Sequence, residues 1–287
     1  MTSPDQPAGR LDVTGAETDA GPAWQFRPGS RVGGWVIMGG RVGVEAMCNT
    51  GFDFVGIDAQ HGFFGFDAAA LAVQVANLCG VHCLVRVPVD QLGWVPRYLD
   101  AGANGVIIAM VTSPEQARAA VELSRYQPEG RRSYGGGKRN GVGESIPESL
   151  ETEVPEVFAM VETRTALDRV RELAEVPGLA GLFVGPVDLG LAMSRPYPLS
   201  SDDAPWRAAV SAVADVCSQQ RVRAGMFATD GDDARRWLAE GFTDVVLSSD
   251  IAMLRRALNE NLVRARQPTT EAAPPTAPPY AGPYAGR

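Results

Sequence analysis

Eight short apolar runs rich in β-favouring residues recur along this chain, and stretches with helical spacing separate them. No other feature restricts the fold as much. The runs fall at 34–38, 54–58, 83–87, 105–108, 157–161, 181–184, 223–227 and 244–247, with helical patterns at 67–78, 94–101, 114–124, 164–175, 205–219, 232–240 and 251–264. In one of these, Ala166, Leu167, Val170, Leu173 and Ala174 repeat at the interval that gives a helix a single apolar face. Strands that are apolar throughout must be covered on both sides, which is the condition of a parallel sheet. Eight β–α units in about 240 residues predict a closed (β/α)8 TIM barrel rather than an open doubly wound sheet. No G-x-G-x-x-G follows the first run, so a dinucleotide site of the Rossmann kind is not expected.

The barrel is predicted over 24–266, between two tails. Residues 1–23 are rich in Thr, Asp, Gly, Ala and Pro and lack the basic flank and apolar run of a signal peptide. Residues 267–287 hold a Pro-rich segment and the repeats Tyr280-Ala281-Gly282-Pro283 and Tyr284-Ala285-Gly286-Arg287. Neither tail can bury enough apolar surface to offset the entropy of ordering, so both are expected to be disordered. A net charge of −8 argues against nucleic-acid or anionic-membrane partners, which require clustered basic charge. With no run long enough to cross a membrane, a cytoplasmic enzyme is expected. Cys48, Cys79, Cys83 and Cys217 show no paired C-x-x-C spacing and are expected to be free buried thiols.

In a parallel barrel the strand C-termini collect the chemistry. Glu162 ends the fifth run and Asp188 follows the sixth. Two carboxylates from separate strands can grip one hard divalent cation, although either could instead complement a helix N-terminus. Asp58 and His61 follow the second run, and Arg86 lies within the third. His61 can move a proton near neutrality, with Asp58 close enough in sequence to orient it; the alternative is a surface histidine. Arg86 in apolar surroundings demands an anion, either a substrate enolate or carboxylate or a structural partner. His82, which opens a strand without an acidic neighbour, reads as structural. Lys138 is the only lysine, against 25 arginines, and it sits in the Gly-rich loop Tyr134-Gly135-Gly136-Gly137-Lys138-Arg139-Asn140-Gly141. Imine chemistry is thus disfavoured, and a metal is the other common way to stabilise an enolate. The basic connection 126–144 is expected beside the barrel mouth.

The segments Phe52-Asp53-Phe54-Val55-Gly56-Ile57-Asp58-Ala59-Gln60-His61, Val85-Arg86-Val87-Pro88, Arg125-Tyr126-Gln127-Pro128-Glu129-Gly130-Arg131-Arg132, Met160-Val161-Glu162-Thr163 and Phe183-Val184-Gly185-Pro186-Val187-Asp188-Leu189 resemble the HpcH/HpaI family of metal-dependent pyruvate aldolases. The resemblance runs from about residue 31 to 262. It implies a TIM barrel whose last helix is exchanged between subunits of a trimer or hexamer, acting on a 4-hydroxy-2-oxo acid with Mg²⁺, Mn²⁺ or Co²⁺. It also implies Glu162 and Asp188 as metal ligands, Arg86 at the 2-oxo oxygen, and His61 with Asp58 as the proton-transfer pair. Gly185, Pro186, Val187 and Asp188 would bind the substrate, the last two through their backbone N–H groups. Two positions depart from the family pattern: Gln60 replaces an acidic residue before His61, and Met160 replaces a glutamine two before Glu162. From sequence, an acyl-CoA lyase of the citrate lyase β or malyl-CoA type, a specialised oxaloacetate decarboxylase or bond-forming enzyme, and a non-catalytic oligomeric barrel remain alternatives.

Overall fold

The computed structural model describes residues 29–135, 154–199 and 202–267. Eight strands, β1 (Arg31–Val36), β2 (Phe54–Asp58), β3 (His82–Pro88), β4 (Gly105–Ala109), β5 (Glu156–Val161), β6 (Gly181–Val184), β7 (Arg223–Ala228) and β8 (Asp244–Ser249), close a barrel in chain order. Every pairing is parallel, including the closing pair of β8 with β1. The helices are α1 (Arg41–Cys48), α2 (Phe66–Leu78), α3 (Trp94–Asp100), α4 (Pro114–Ser124), α5 (Arg164–Asp168), α6 (Val170–Ala174), α7 (Pro186–Ala192), α8 (Ala204–Gln220), α9 (Gly231–Ala239) and α10 (Asp250–Arg266). Ser113, Thr163, Asp203 and Asp230 each accept a bond from an N-terminal backbone amide of the helix they precede, which fixes where α4, α5, α8 and α9 begin.

All eight predicted strands are present, and the departures at their edges have local causes. The first strand begins at Arg31 rather than 34, because Arg31 Nε donates to Asp244 Oδ1 at 2.6 Å and anchors the start of the ladder. It stops at Val36 because the Asp250 carboxylate accepts from the N–H groups of Ile37 and Met38, each at 3.0 Å. The expected helix 164–175 is two helices, broken at Arg169, whose backbone (φ −112°, ψ 21°) leaves the helical region. Helix α1 was not foreseen; Gly43 in an eight-residue element weakens the periodic signal.

The barrel interior is filled by interleaving aromatic rings with glycines from adjacent strands. A Cβ added to Gly56 would lie 2.3 Å from the Trp35 ring, and one added to Gly225 would lie 2.1 Å from the Phe183 ring. Trp35, Phe54, Leu84, Ile107, Phe158, Met160, Phe183 and Val246 form the buried cluster along the axis. At the N-terminal end of the barrel, the first residues of alternate strands make a charged layer: Arg31, His82, Glu156 and Arg223, joined by Asp244 of β8. Arg31 and His82 meet Glu156 at 2.8 and 3.0 Å, and Arg223 meets Asp244 at 2.7 Å. Burial would push the Glu156 carboxyl up, but its bonds from His82 and Arg31 hold it down at about 2. His82 is therefore structural, as expected.

The described part of the connection after α4 lies at this same N-terminal end, not beside the mouth. Arg132 bonds Asp100 at the end of α3 at 2.8 Å, and Arg125 bonds the carbonyl of Gly178, three residues before β6, at 3.2 Å. The reason is topological: a helix following a barrel strand returns the chain to the strand N-termini. Lys138 and Arg139, the arm 1–23 and the tail beyond Gln267 lie outside the described residues. All four cysteines are free, and among the described residues no helix is long and apolar enough to cross a membrane. The chain divides into two compact units at Ile251, the first containing the barrel and the second beginning at Ala252. Along α10 no residue is buried; Leu254, Leu258, Leu262 and Val263 all stand exposed.

Candidate active site

The inward-facing residues at the C-terminal ends of β2 and β3 are joined by register. Asp58 is the Cα partner of Arg86, so a carboxylate and a guanidinium emerge side by side from neighbouring strands. Arg86 donates from Nε to Asp58 Oδ1 at 3.0 Å and from Nη2 to Oδ2 at 2.5 Å, a two-point clamp. Asp58 is 1% exposed. Burial acts to raise its pKa, but the paired bonds and charge of Arg86, with the His61 N–H and the Trp35 indole, hold the carboxyl below its ordinary range. Trp35 Nε1 donates to Oδ2 at 3.1 Å, and the Arg86 guanidinium lies 5.5 Å from the Trp35 ring centroid.

The expected pairing of Asp58 with His61 takes another form. Asp58 Oδ1 accepts from the backbone N–H groups of Gln60 and His61 at 3.1 and 2.9 Å, shaping the turn after β2. Among the described residues nothing hydrogen-bonds the His61 ring, which is exposed. Asp58 thus sets the His61 main chain and the Arg86 guanidinium rather than the imidazole tautomer. The physical reason is charge: a buried carboxylate one strand from a guanidinium satisfies both groups, whereas an exposed imidazole, free to meet water, competes poorly for it.

Glu162 follows β5 and is 3% exposed. It is not a helix cap, because Thr163 fills that role for α5 with a 3.0 Å bond from the Ala166 N–H. Its Oε1 accepts from the Met110 N–H at 2.5 Å, across from the end of β4. Its Oε2 lies against Gly185, where an added Cβ would come within 2.4 Å. Burial pushes the Glu162 carboxyl up, the Met110 N–H opposes this, the Asp188 charge raises it further, and Arg86 pulls it down. Those influences show that carboxylates and guanidinium from β2, β3, β5 and α7 share one electrostatic environment. Asp188 sits in the first turn of α7, exposed, three residues past Gly185. In that helix the first backbone bond runs from the Leu189 N–H to the Gly185 carbonyl, so the Val187 and Asp188 N–H groups have no partner among the described residues. Met160 lies in the core cluster one step below Glu162 on the same face of β5.

Met110, Trp35 and Asp250 belong to this end of the barrel and were not found by sequence reasoning. Trp35 carried a signal, since a buried indole N–H needs an acceptor. Met110 carried none, because it acts through its main chain. Among the described residues no cluster of three or more His, Cys, Asp or Glu is arranged to hold a metal.

Known proteins resemble this chain in sequence and, where solved, in fold. A hydroxypyruvate/pyruvate aldolase of Rhizorhabdus wittichii is 34% identical over 236 residues, spanning 81% of this chain and 93% of that protein. A 5-keto-4-deoxy-D-glucarate aldolase of Klebsiella pneumoniae is 29% identical over 79% of this chain and 89% of its own length. The crystal structure of an HpcH/HpaI aldolase/citrate lyase family protein from Burkholderia cenocepacia superposes with a TM-score of 0.75 at 27% identity, covering 83% of this chain and 95% of that one. The sequence profile of the family matches residues 31–257, and the chain belongs to the HpcH/HpaI aldolase/citrate lyase family.

Proposed function

We propose that this protein is a metal-dependent aldolase that makes and breaks the C3–C4 bond of a 4-hydroxy-2-oxo acid. Pyruvate, or the enolate left by oxaloacetate, is one half and an aldehyde the other. The reading is carried by Arg86 of β3, Glu162 after β5 and Asp188 in the helix after β6, all at the C-terminal end of the barrel, with His61 in the loop after β2. The donor set suits a divalent cation. Glu162 Oε2 accepts no hydrogen bond among the described residues, and a nearly buried carboxylate beside a second one is stabilised by a positive ion. Glu162 and Asp188 would hold Mg²⁺ or Mn²⁺, with Co²⁺ a further option, and the bound ion supplies Lewis-acid stabilisation of the 2-oxo group.

The chain's own groups divide the remaining work. Arg86, clamped through Nε and Nη2, has its Nη1 edge free among the described residues to meet the oxygen on which enolate charge develops. The Val187 and Asp188 N–H groups, presented by the Gly185-Pro186 turn, hold the substrate carboxylate. His61 takes the proton from the C4 hydroxyl in cleavage and returns it in synthesis. Asp58 positions Arg86 and acts through it. The exposed apolar stripe of α10 supports exchange of this helix between subunits of a trimer or hexamer.

Exchange of the pyruvate methyl protons in D₂O tests the assignment, followed by NMR with Mn²⁺ or Mg²⁺ and again with a chelator. Metal-dependent exchange that disappears in Glu162→Ala and Asp188→Ala is expected. In His61→Ala exchange should persist while aldol cleavage is lost. Exchange that ignores the chelator in a folded sample would refute the metal-enolate reading.

A further inference from the structure

The first residue after β4 is held in a conformation its side chain does not favour. Met110 has φ 58°, in the left-handed region, at a cost of about 1–2 kcal/mol for a residue with a Cβ. The corner is locked from its C-terminal side. The Val111 carbonyl accepts from Thr163 Oγ1 at 3.3 Å, and Gln116 Oε1 accepts from the N–H groups of Thr112 and Ser113 at 2.7 and 3.2 Å. The side chain has no packing reason to be there, being 42% exposed. What the conformation achieves is the aim of its N–H, which meets Glu162 Oε1 at 2.5 Å.

The other carboxylate oxygen is confined from the opposite side. Oε2 occupies the space that a Cβ on Gly185 would need, at 2.4 Å. Glu162 is therefore gripped between the end of β4 and the end of β6, with one oxygen committed to a backbone amide and the other turned toward the element that carries Asp188. We propose that Met110 is a positioning residue whose left-handed backbone reserves Glu162 Oε1, so that Glu162 offers a divalent cation a single oxygen. The inference rests on the reading of Glu162 and Asp188 as the metal ligands. One-oxygen carboxylate ligation suits the strict octahedron of Mg²⁺ and, by the same geometry, Mn²⁺; Ca²⁺ takes more ligands and accepts two-oxygen carboxylates readily. Met110 would thus bias the site toward the smaller ions.

The experiment measures binding of Mn²⁺ to the full chain without substrate, by the EPR signal of free Mn²⁺, and its displacement by Ca²⁺. Met110→Asn retains a residue that tolerates the left-handed region, whereas Met110→Val introduces a β-branched one that does not. Met110→Val should weaken Mn²⁺ by about 10–100-fold, the usual range for losing a group that orients a ligand, and should narrow the preference over Ca²⁺. Met110→Asn should weaken it far less. Gly185→Ala reaches the same carboxylate from the other side and should weaken Mn²⁺ comparably, which keeps a test available if the valine variant does not fold. Equal Mn²⁺ and Ca²⁺ affinities in the asparagine and valine variants, or an unmoved Gly185→Ala, would overturn the proposal. Glu162→Gln separates the two levels: wild-type Mn²⁺ binding in that variant refutes the ligand assignment itself, whereas its loss leaves the Met110 series to decide the positioning role.

Discussion

Replacing Asp58 with asparagine changes one atom and removes one charge, and the structure sets out the consequence. Oδ1 accepts three donors, from Arg86 Nε, the Gln60 N–H and the His61 N–H, and Oδ2 accepts two, from Arg86 Nη2 and Trp35 Nε1. The best placement of the new amide keeps its carbonyl toward the three donors and turns the NH₂ against Nη2 and the indole, so both of those bonds become donor–donor contacts. Arg86, with a side chain 12% exposed, is left as a charge without its counter-ion. Leaving one member of such a pair buried costs about 3–5 kcal/mol, against a total stability on the order of 5–15 kcal/mol. For a domain of this size that lowers Tm by on the order of 10 °C. Activity should fall further than stability, because Arg86 loses the two contacts that aim it; removal of one preorganised donor costs about 10²–10³ in kcat. The assay is a double-mutant cycle of Asp58→Asn and Arg86→Met, read by denaturant unfolding and by pyruvate methyl exchange. The double variant should recover much of the stability lost in Asp58→Asn and none of the exchange. Additive stability losses would show that the pair is not coupled and refute the reasoning.

Three further outcomes follow from other parts of the molecule. Glu156 has its folded pKa depressed from 4.5 to about 2 by His82 and Arg31, so its contribution is complete above the unfolded value and vanishes as pH falls from there to about 2. Relative to Glu156→Gln, the wild type should lose on the order of 3 kcal/mol of unfolding free energy across that window, and a difference independent of pH would contradict the network. Gly56→Ala drives a methyl into the buried Trp35 ring, whose indole holds Asp58; we expect about 1–3 kcal/mol of destabilisation together with impaired exchange, measured by unfolding and by NMR. If the proposed helix exchange assembles subunits, charging the exposed stripe of α10 with Leu254→Glu and Leu258→Glu should lower the mass read by light scattering to that of a monomer, and an assembly unchanged by both substitutions would exclude helix exchange as its source.

The chain's periodicity determined the barrel. Each β–α unit is local: a run apolar on both faces, a turn and a one-sided helix. Eight such units in sequence leave few topologies open, and the strand ends Asp58, Glu162 and the segment before Asp188 are legible because apolar runs stop there. Gln60, Met160 and the family motifs were equally local. Tertiary structure decided what these residues touch. That Asp58 serves Arg86 and only the main chain of His61 depends on β2–β3 register, which a one-residue slip would abolish. That His82 belongs to a charged layer with Arg31, Glu156 and Arg223 depends on barrel closure, since those groups open alternate strands far apart in the chain. The same dependence explains why the described part of the basic connection lies at the end opposite to the one expected: local composition carries no information about which end of a barrel a segment occupies. Met110 is the extreme case. Its contribution is the direction of one backbone N–H, fixed by a corner that Thr163 and Gln116 lock from elsewhere in the fold, and no side-chain pattern encodes it.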